Sequence, residues 1–161
     1  MDGVKYGFDP VIFDDSKLLI LGSFPSVKSR QVEFYYGNAR NRFWKIVCGF
    51  FGEEVPETVD LKKDFLKRRK IALWDMVTEC EIIGSKDSEI KNFKVADIKK
   101  LLQNSKINYI ILNGGRAAEI FESRFADISV VYEKLPSTSP ANVSFKHEVW
   151  IDALSRAFGR T

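Results

Sequence analysis

The chain has 161 residues, 45% hydrophobic and 29% charged, the proportions of a folded protein with enough bulk for one core, so a single domain over residues 1–161 is expected. The net charge of +3 and pI of about 8.8 allow a nucleic acid as partner. With Cys48 and Cys80 the only cysteines and His147 the only histidine, disulfide frameworks, His pairs and His-rich metal sites are excluded by count, and no metal or cofactor is expected.

No apolar run approaches the roughly 20 residues that span a bilayer. The opening MDGVKYGFDP lacks the apolar stretch of a signal peptide. A cytoplasmic, nucleoid-associated protein with no membrane partner is the expectation.

In chain order, the first predicted element is a strand over Lys17–Leu21 (KLLIL). A helix follows over Arg42–Phe51, where Phe43, Ile46, Val47 and Phe50 recur at spacings of three and four. Leu61–Arg69 predicts a second, mostly basic helix, and its Lys62–Lys70 charges read as a solvated face. Ile71–Trp74 (IALW) is the second strand. Val95–Asn104 predicts a helix with Val95, Ile98, Leu101 and Leu102 on one side. The third strand is Tyr109–Leu112 (YIIL), followed by a helix over Arg116–Phe125. Ser129–Tyr132 is the fourth strand, able to extend to Leu135, and Phe145–Phe158 is the last helix.

The first three strands lack polar alternation, the pattern of strands covered on both faces. Strands alternating with helices predict an α/β fold: a three-layer α/β/α sandwich around a short, mainly parallel, four-stranded sheet. Ligands of such sheets bind along the C-terminal edge of the strands, which reduces the search to four loops. They are Gly22-Ser23-Phe24-Pro25-Ser26, Asp75-Met76-Val77-Thr78, Asn113-Gly114-Gly115, and Leu135-Pro136-Ser137-Thr138-Ser139-Pro140-Ala141-Asn142.

Between the first strand and its helix lies Phe34-Tyr35-Tyr36-Gly37-Asn38-Ala39-Arg40-Asn41-Arg42-Phe43-Trp44. Aromatic residues interleaved with arginine and asparagine suit stacking on a base, contact with phosphate and positioning of a water. Asn41 stands where a helix N-cap is expected, and a capping side chain is also a rigid one. Asn113, at a strand end, carries both a donor and an acceptor, enough to read one edge of a base, although a capping role is open to it too. Asp75 follows the second strand, where it could meet a water, a base or a neighbouring turn. His147 opens the last helix and reads as a surface or phosphate-contacting residue.

GSFPS, YYGNARNRFW and LPSTSPA, in that order and spacing, resemble the mismatch-specific branch of the uracil-DNA glycosylase superfamily, and within it the hypoxanthine-DNA glycosylase family. The resemblance runs from Leu18 to Trp150. It implies a monomeric, monofunctional enzyme that flips a deaminated nucleotide out of DNA and hydrolyses its N-glycosidic bond. It places Gly22, Ser23, Phe24, Pro25, Tyr36 and Asn113 at the base, with Phe24 or Tyr36 stacking on it. It places Asn41 first, and Asn38 second, as the residue that orients the attacking water. Arg40, Arg42, Pro136, Ser137, Thr138, Ser139, Pro140 and Asn142 are then the DNA-contacting set. Phe24 stands where mismatch-specific uracil glycosylases carry a water-positioning asparagine, and Leu135 where other branches carry a histidine. Both departures favour a purine, hypoxanthine, over uracil. A glycosylase acting on uracil in G·U mismatches, and a non-catalytic nucleic-acid-binding module of the same fold, are the alternatives.

Overall fold

The computed structural model describes residues 3–82 and 90–159; the extreme ends of the expected 1–161 domain lie outside them. Four strands, β2 (Leu18–Gly22), β3 (Ile71–Asp75), β6 (Tyr109–Asn113) and β7 (Val131–Leu135), form a sheet of order β3-β2-β6-β7 with every pair parallel. This is the expected sheet. All five residues of β2 are buried, because it is central and covered on both sides.

Side chains alternate across a strand with a period of two, and the two cores follow that rule. Leu19, Leu21, Ala72, Ile110 and Leu112 enter one cluster, against Ile98 of α4 (Ile98–Gln103) and Ala117, Ile120 and Phe121 of α5 (Gly115–Phe125). Leu18, Ile20, Ile71, Leu73 and Ile111 enter the other. It packs Phe43, Ile46 and Val47 of α2 (Phe43–Phe50), Phe65 and Leu66 of α3 (Val59–Arg69), and Trp150, Ala153 and Leu154 of α6 (His147–Phe158). Three layers result. At about 1.5–3 kcal/mol for each fully buried large apolar side chain, these two faces dominate the driving force for folding.

Several elements depart from the sequence reading. A second, antiparallel sheet of order β1-β4-β5 joins β1 (Gly3–Tyr6), β4 (Val77–Ile82) and β5 (Ile90–Val95). The segment Asp75–Thr78, read as a loop, therefore ends β3 and begins β4 with only Met76 between. The helix expected over Val95–Asn104 starts at Ile98, capped by the Asp97 side chain, while Val95 closes β5. A cap three residues inside an apolar run resets the helix start whatever the periodicity suggests. The fourth strand is Val131–Leu135, the extended alternative.

The short helix α1 (Val27–Val32) is new; Ser26 accepts a hydrogen bond from the Ser29 N–H and so caps it. In the Lys62–Lys70 run, Arg68 and Arg69 both bind the Glu53 carboxylate, and Lys62 and Lys63 lie over the rings of Trp44 and Phe34. The run is a half-exposed face tied to its neighbours rather than a freely solvated one. Among the described residues, no helix is long and apolar enough to cross a membrane.

Candidate active site

Because all four strands run the same way, Gly22, Asp75, Asn113 and Leu135 end on one edge, with Gly22 in register with Asp75 and Asn113 with Leu135. The loops at this edge enclose a cleft of about 150 Å³, a volume that in an apolar cavity accepts a ring the size of benzene. Of the residues expected at the site, Gly22, Ser23, Phe24, Pro25, Tyr36, Asn38, Asn41, Asn113, Ser137, Thr138, Ser139 and Pro140 all line it. Arg40, Arg42, Pro136 and Asn142 lie outside the lining.

The Gly22–Ser26 loop is locked to the aromatic segment through Ser29. This buried hydroxyl lies 3.1 Å from the Ser26 hydroxyl and accepts the Gly37 N–H at 3.0 Å. Gly37 must be glycine for reasons of space, since a Cβ there would stand 2.0 Å from Val32 Cγ2. The chain then passes through Tyr36 in the left-handed region (φ 52°), a conformation that costs a non-glycine residue free energy and is concentrated at functional sites. Its ring stacks on Phe43 with centroids 4.1 Å apart, which covers one face. Phe24, nearly fully buried, carries the Arg30 guanidinium 5.6 Å from its ring centroid.

The asparagines are held by the backbone. Asn38 accepts the Asn41 N–H with its carbonyl and the Arg40 N–H with Oδ1, both at 2.9 Å. Asn41 Oδ1 accepts the Phe43 N–H at 2.9 Å. That bond performs the expected capping work, although the backbone places Arg42, with no side-chain capping bond, at the helix boundary. An amide offers two acceptor sites and two donors, so Asn41 keeps an acceptor site and its Nδ2 donors while its orientation is fixed.

Asn113 is engaged differently from a helix cap. Its Oδ1 accepts the Thr138 N–H and its Nδ2 donates to Thr138 Oγ1, each at 3.0 Å. Gly114, not Asn113, occupies the cap position of α5, with φ 100° and room for a Cβ only 3.0 Å from Ser137 Cβ. A left-handed φ and this close approach both require glycine there. Arg42 supports the same Pro-Ser loop: its N–H donates to Thr138 O, its Nη1 to Ser139 O at 2.9 Å, and its guanidinium lies 4.8 Å from the Phe145 ring centroid. Trp150 Nε1 donates to Pro136 O, and Asn142 Nδ2 to Ser137 O.

Asp75 is the residue that sequence reasoning left undecided and the structure brings into the cleft. It is 5% exposed, at the end of an edge strand rather than a central one. A Cβ on Gly22 would lie 2.6 Å from Asp75 Oδ1 and 3.3 Å from the Tyr36 hydroxyl, so carboxylate and phenol stand together over a bare Cα. The Tyr36 hydroxyl is buried and meets no hydrogen-bond partner of good geometry among the described residues. Burial, and then the Asp75 charge, push its pKa well above the ordinary tyrosine value, the nearby Asn113 amide opposing them weakly. Tyr35 is raised for the same two leading reasons. The usable signal for Asp75 was its place directly after a strand; that this strand pairs with β2 and sets Asp75 level with Gly22 was not legible from spacing alone.

The profile of the family described as the uracil DNA glycosylase superfamily matches residues 10–155. A hypoxanthine DNA glycosylase of Methanosarcina acetivorans is 35% identical over 144 residues, covering 88% of this chain and 90% of that protein. A hypoxanthine DNA glycosylase of Methanosarcina barkeri is 30% identical over 159 residues, covering 94% and 99%. The solution NMR structure of a candidate uracil DNA glycosylase from Methanosarcina acetivorans superposes with a TM-score of 0.85 at 32% identity, covering 97% of this chain and 99% of that one.

Proposed function

The chain belongs to the uracil DNA glycosylase superfamily, and from that premise we propose that it is a monofunctional DNA glycosylase that releases hypoxanthine from DNA in base excision repair. The observation that carries the substrate is the likeness, over nearly the whole chain, to two hypoxanthine DNA glycosylases. The cleft supports it. A cleft at the sheet edge, lined by Phe24 and Tyr36 and ringed by amide and hydroxyl groups, suits one extruded base.

In this reaction the bond between C1′ and the purine nitrogen breaks and its electron pair leaves with the base. The oxygen of a water bonds to C1′. One water proton ends on the departing purine and the other stays as the sugar hydroxyl. Positive charge develops on the sugar before the water bond is complete, so the protein's task is to hold the water and to exclude bulk solvent, worth several kcal/mol of barrier.

Asn41 orients the water. An asparagine is no base at neutral pH, but its amide, pinned by the Phe43 N–H, presents its remaining acceptor and donors with little freedom to lose. Asn38, braced by the Arg40 N–H, is the second candidate for the same task. Asn113 reaches the base with the donor and acceptor capacity left beyond Thr138. Exposed Arg40 meets phosphate, while Arg42 braces the Pro-Ser loop that presses on the strand. The enzyme acts as a monomer on cytoplasmic DNA.

Duplexes carrying single hypoxanthine, uracil or xanthine bases, or thymine in a mismatch, test the reading by base release and the alkali-labile site left behind. Hypoxanthine should be released fastest. Fastest release of uracil would make the protein a uracil glycosylase, and binding without release of any base would make it a recognition module.

A further inference from the structure

Deamination of adenine inverts part of the base's hydrogen-bonding edge. Adenine offers a 6-amino donor beside an N1 acceptor; hypoxanthine offers an O6 acceptor beside an N1–H donor. An enzyme that removes hypoxanthine from DNA meets adenine far more often, so its cleft needs a group that accepts where adenine also accepts. A carboxylate is acceptor-only when ionised, whereas amides and hydroxyls adapt by rotation.

The cleft contains one such group beside a donor. Asp75 and the Tyr36 hydroxyl converge over Gly22, whose missing side chain leaves the space they occupy. Both line the cleft. The hydroxyl is buried without a partner of good geometry among the described residues, an unusual state for a native polar group and one that a ligand can relieve. A carboxylate has about four acceptor sites, so Asp75 can receive a base N–H in addition to contacts within the protein.

Resting on the assignment of a deaminated base to this cleft, we propose that Asp75 and Tyr36 form the pair that selects a keto base over an amino base: the Asp75 carboxylate accepts N1–H of hypoxanthine and the Tyr36 hydroxyl donates to O6. With adenine, the N1 lone pair faces the carboxylate lone pairs and finds no proton. The hydroxyl could turn to accept from the 6-amino group, so rejection of adenine falls on Asp75. Burial and the Asp75 charge oppose ionisation of the Tyr36 phenol, so its proton stays available to donate. Uracil carries the same N–H beside a carbonyl, so the pair sets keto against amino; purine against pyrimidine is left to Phe24 and the rest of the cleft.

The test uses the full chain and duplexes carrying hypoxanthine, adenine or 1-methylhypoxanthine, with single-turnover release and competition binding as readouts. Wild-type protein should release 1-methylhypoxanthine at least about 100-fold more slowly than hypoxanthine, since sites built to bond a substrate N–H reject analogues lacking it by large factors. Asp75→Asn, whose amide can turn to face either edge, should lower the binding preference for hypoxanthine over adenine by about tenfold or more. Tyr36→Phe should slow hypoxanthine release while leaving adenine excluded. Release of 1-methylhypoxanthine at the hypoxanthine rate overturns the proposal, and needs no variant. So does a folded Asp75→Asn protein that keeps the full preference, or one that weakens all bases equally. Failure of wild-type protein to release hypoxanthine at all would instead remove the assignment on which the proposal rests.

Discussion

Asn113 holds Thr138 from two sides, accepting its backbone N–H and donating to its hydroxyl, each at 3.0 Å and both residues buried. The bonds connect the end of β6 to the Pro-Ser loop across 25 residues of sequence. A buried group that loses its partner costs about 1–3 kcal/mol. Asn113→Ala orphans two, so a loss of about 2–4 kcal/mol is expected in denaturant unfolding. Thr138→Val removes the hydroxyl bond alone and should cost less. Because the residues act as a unit, the double variant should fall short of the sum of the singles; strict additivity would show that the clasp carries no coupling.

A second expectation concerns the DNA surface. Arg40 is exposed at the cleft rim, its guanidinium bound to no described residue, whereas Arg68 and Arg69 are tied to Glu53. If Arg40 meets a phosphate, Arg40→Ala should flatten the dependence of log affinity on log salt by about 0.9 for duplex DNA. Lys67→Ala, on the basic helix α3, should leave the slope alone. Equal slopes for the two variants would move the DNA to another face.

How much of this could be read from the chain depends on the range of the interactions. β2 was legible because five consecutive buried residues leave an unbroken apolar run, and α2 because Phe43, Ile46 and Val47 mark one stripe. The second sheet was not, since β1 is largely exposed and β4 follows β3 after one residue, so no turn signal separates them. At the site, Asn41 and Asn113 could be placed at a helix start and a strand end, and the family resemblance singled out Asn41 and Asn38. Asn113's hold on Thr138 did not, because it joins two loops that only the parallel register Asn113–Leu135 brings together. Asp75 was visible as a strand-end carboxylate, but its approach to Gly22 and Tyr36 is a property of packing.

Alkaline pH gives a third expectation. Burial raises Tyr35 and Tyr36 far above the ordinary value near 10, with the Asp75 charge adding to it. A folded pKa above the unfolded one means the folded protein holds protons that the unfolded chain releases. The stability these phenols contribute is therefore complete below pH 10 and is lost as pH rises beyond it. Ultraviolet titration should show these two tyrosines ionising only with unfolding. Tyr35→Phe, which loses the hydrogen bond to Asp9 O, should flatten the alkaline fall in stability; an unchanged fall would assign it to other groups.

The last expectation separates chemistry from architecture at Asn41. Its Oδ1 accepts the Phe43 N–H, so Asn41→Ala removes a capping bond worth about 1 kcal/mol as well as any hold on the water, and a slower enzyme would be ambiguous. Asn41→Asp resolves this. A carboxylate accepts the same N–H and suits the positive end of α2, so the fold should be as stable as wild type or slightly more so, read from the melting temperature. What the carboxylate lacks is the pair of Nδ2 donors. If those donors orient the water, Asn41→Asp should lose about 100-fold or more in single-turnover release despite its stability, as removal of a fixed donor does in other enzymes. If the free lone pair of Oδ1 does the work, Asn41→Asp should retain most of the rate while Asn41→Ala loses it. Affinity for the damaged duplex should change little in Asn41→Ala, since a group used in the transition state alters rate rather than ground-state binding. Wild-type rates in both folded variants would shift the water to Asn38, where Asn38→Ala is then the variant expected to fall.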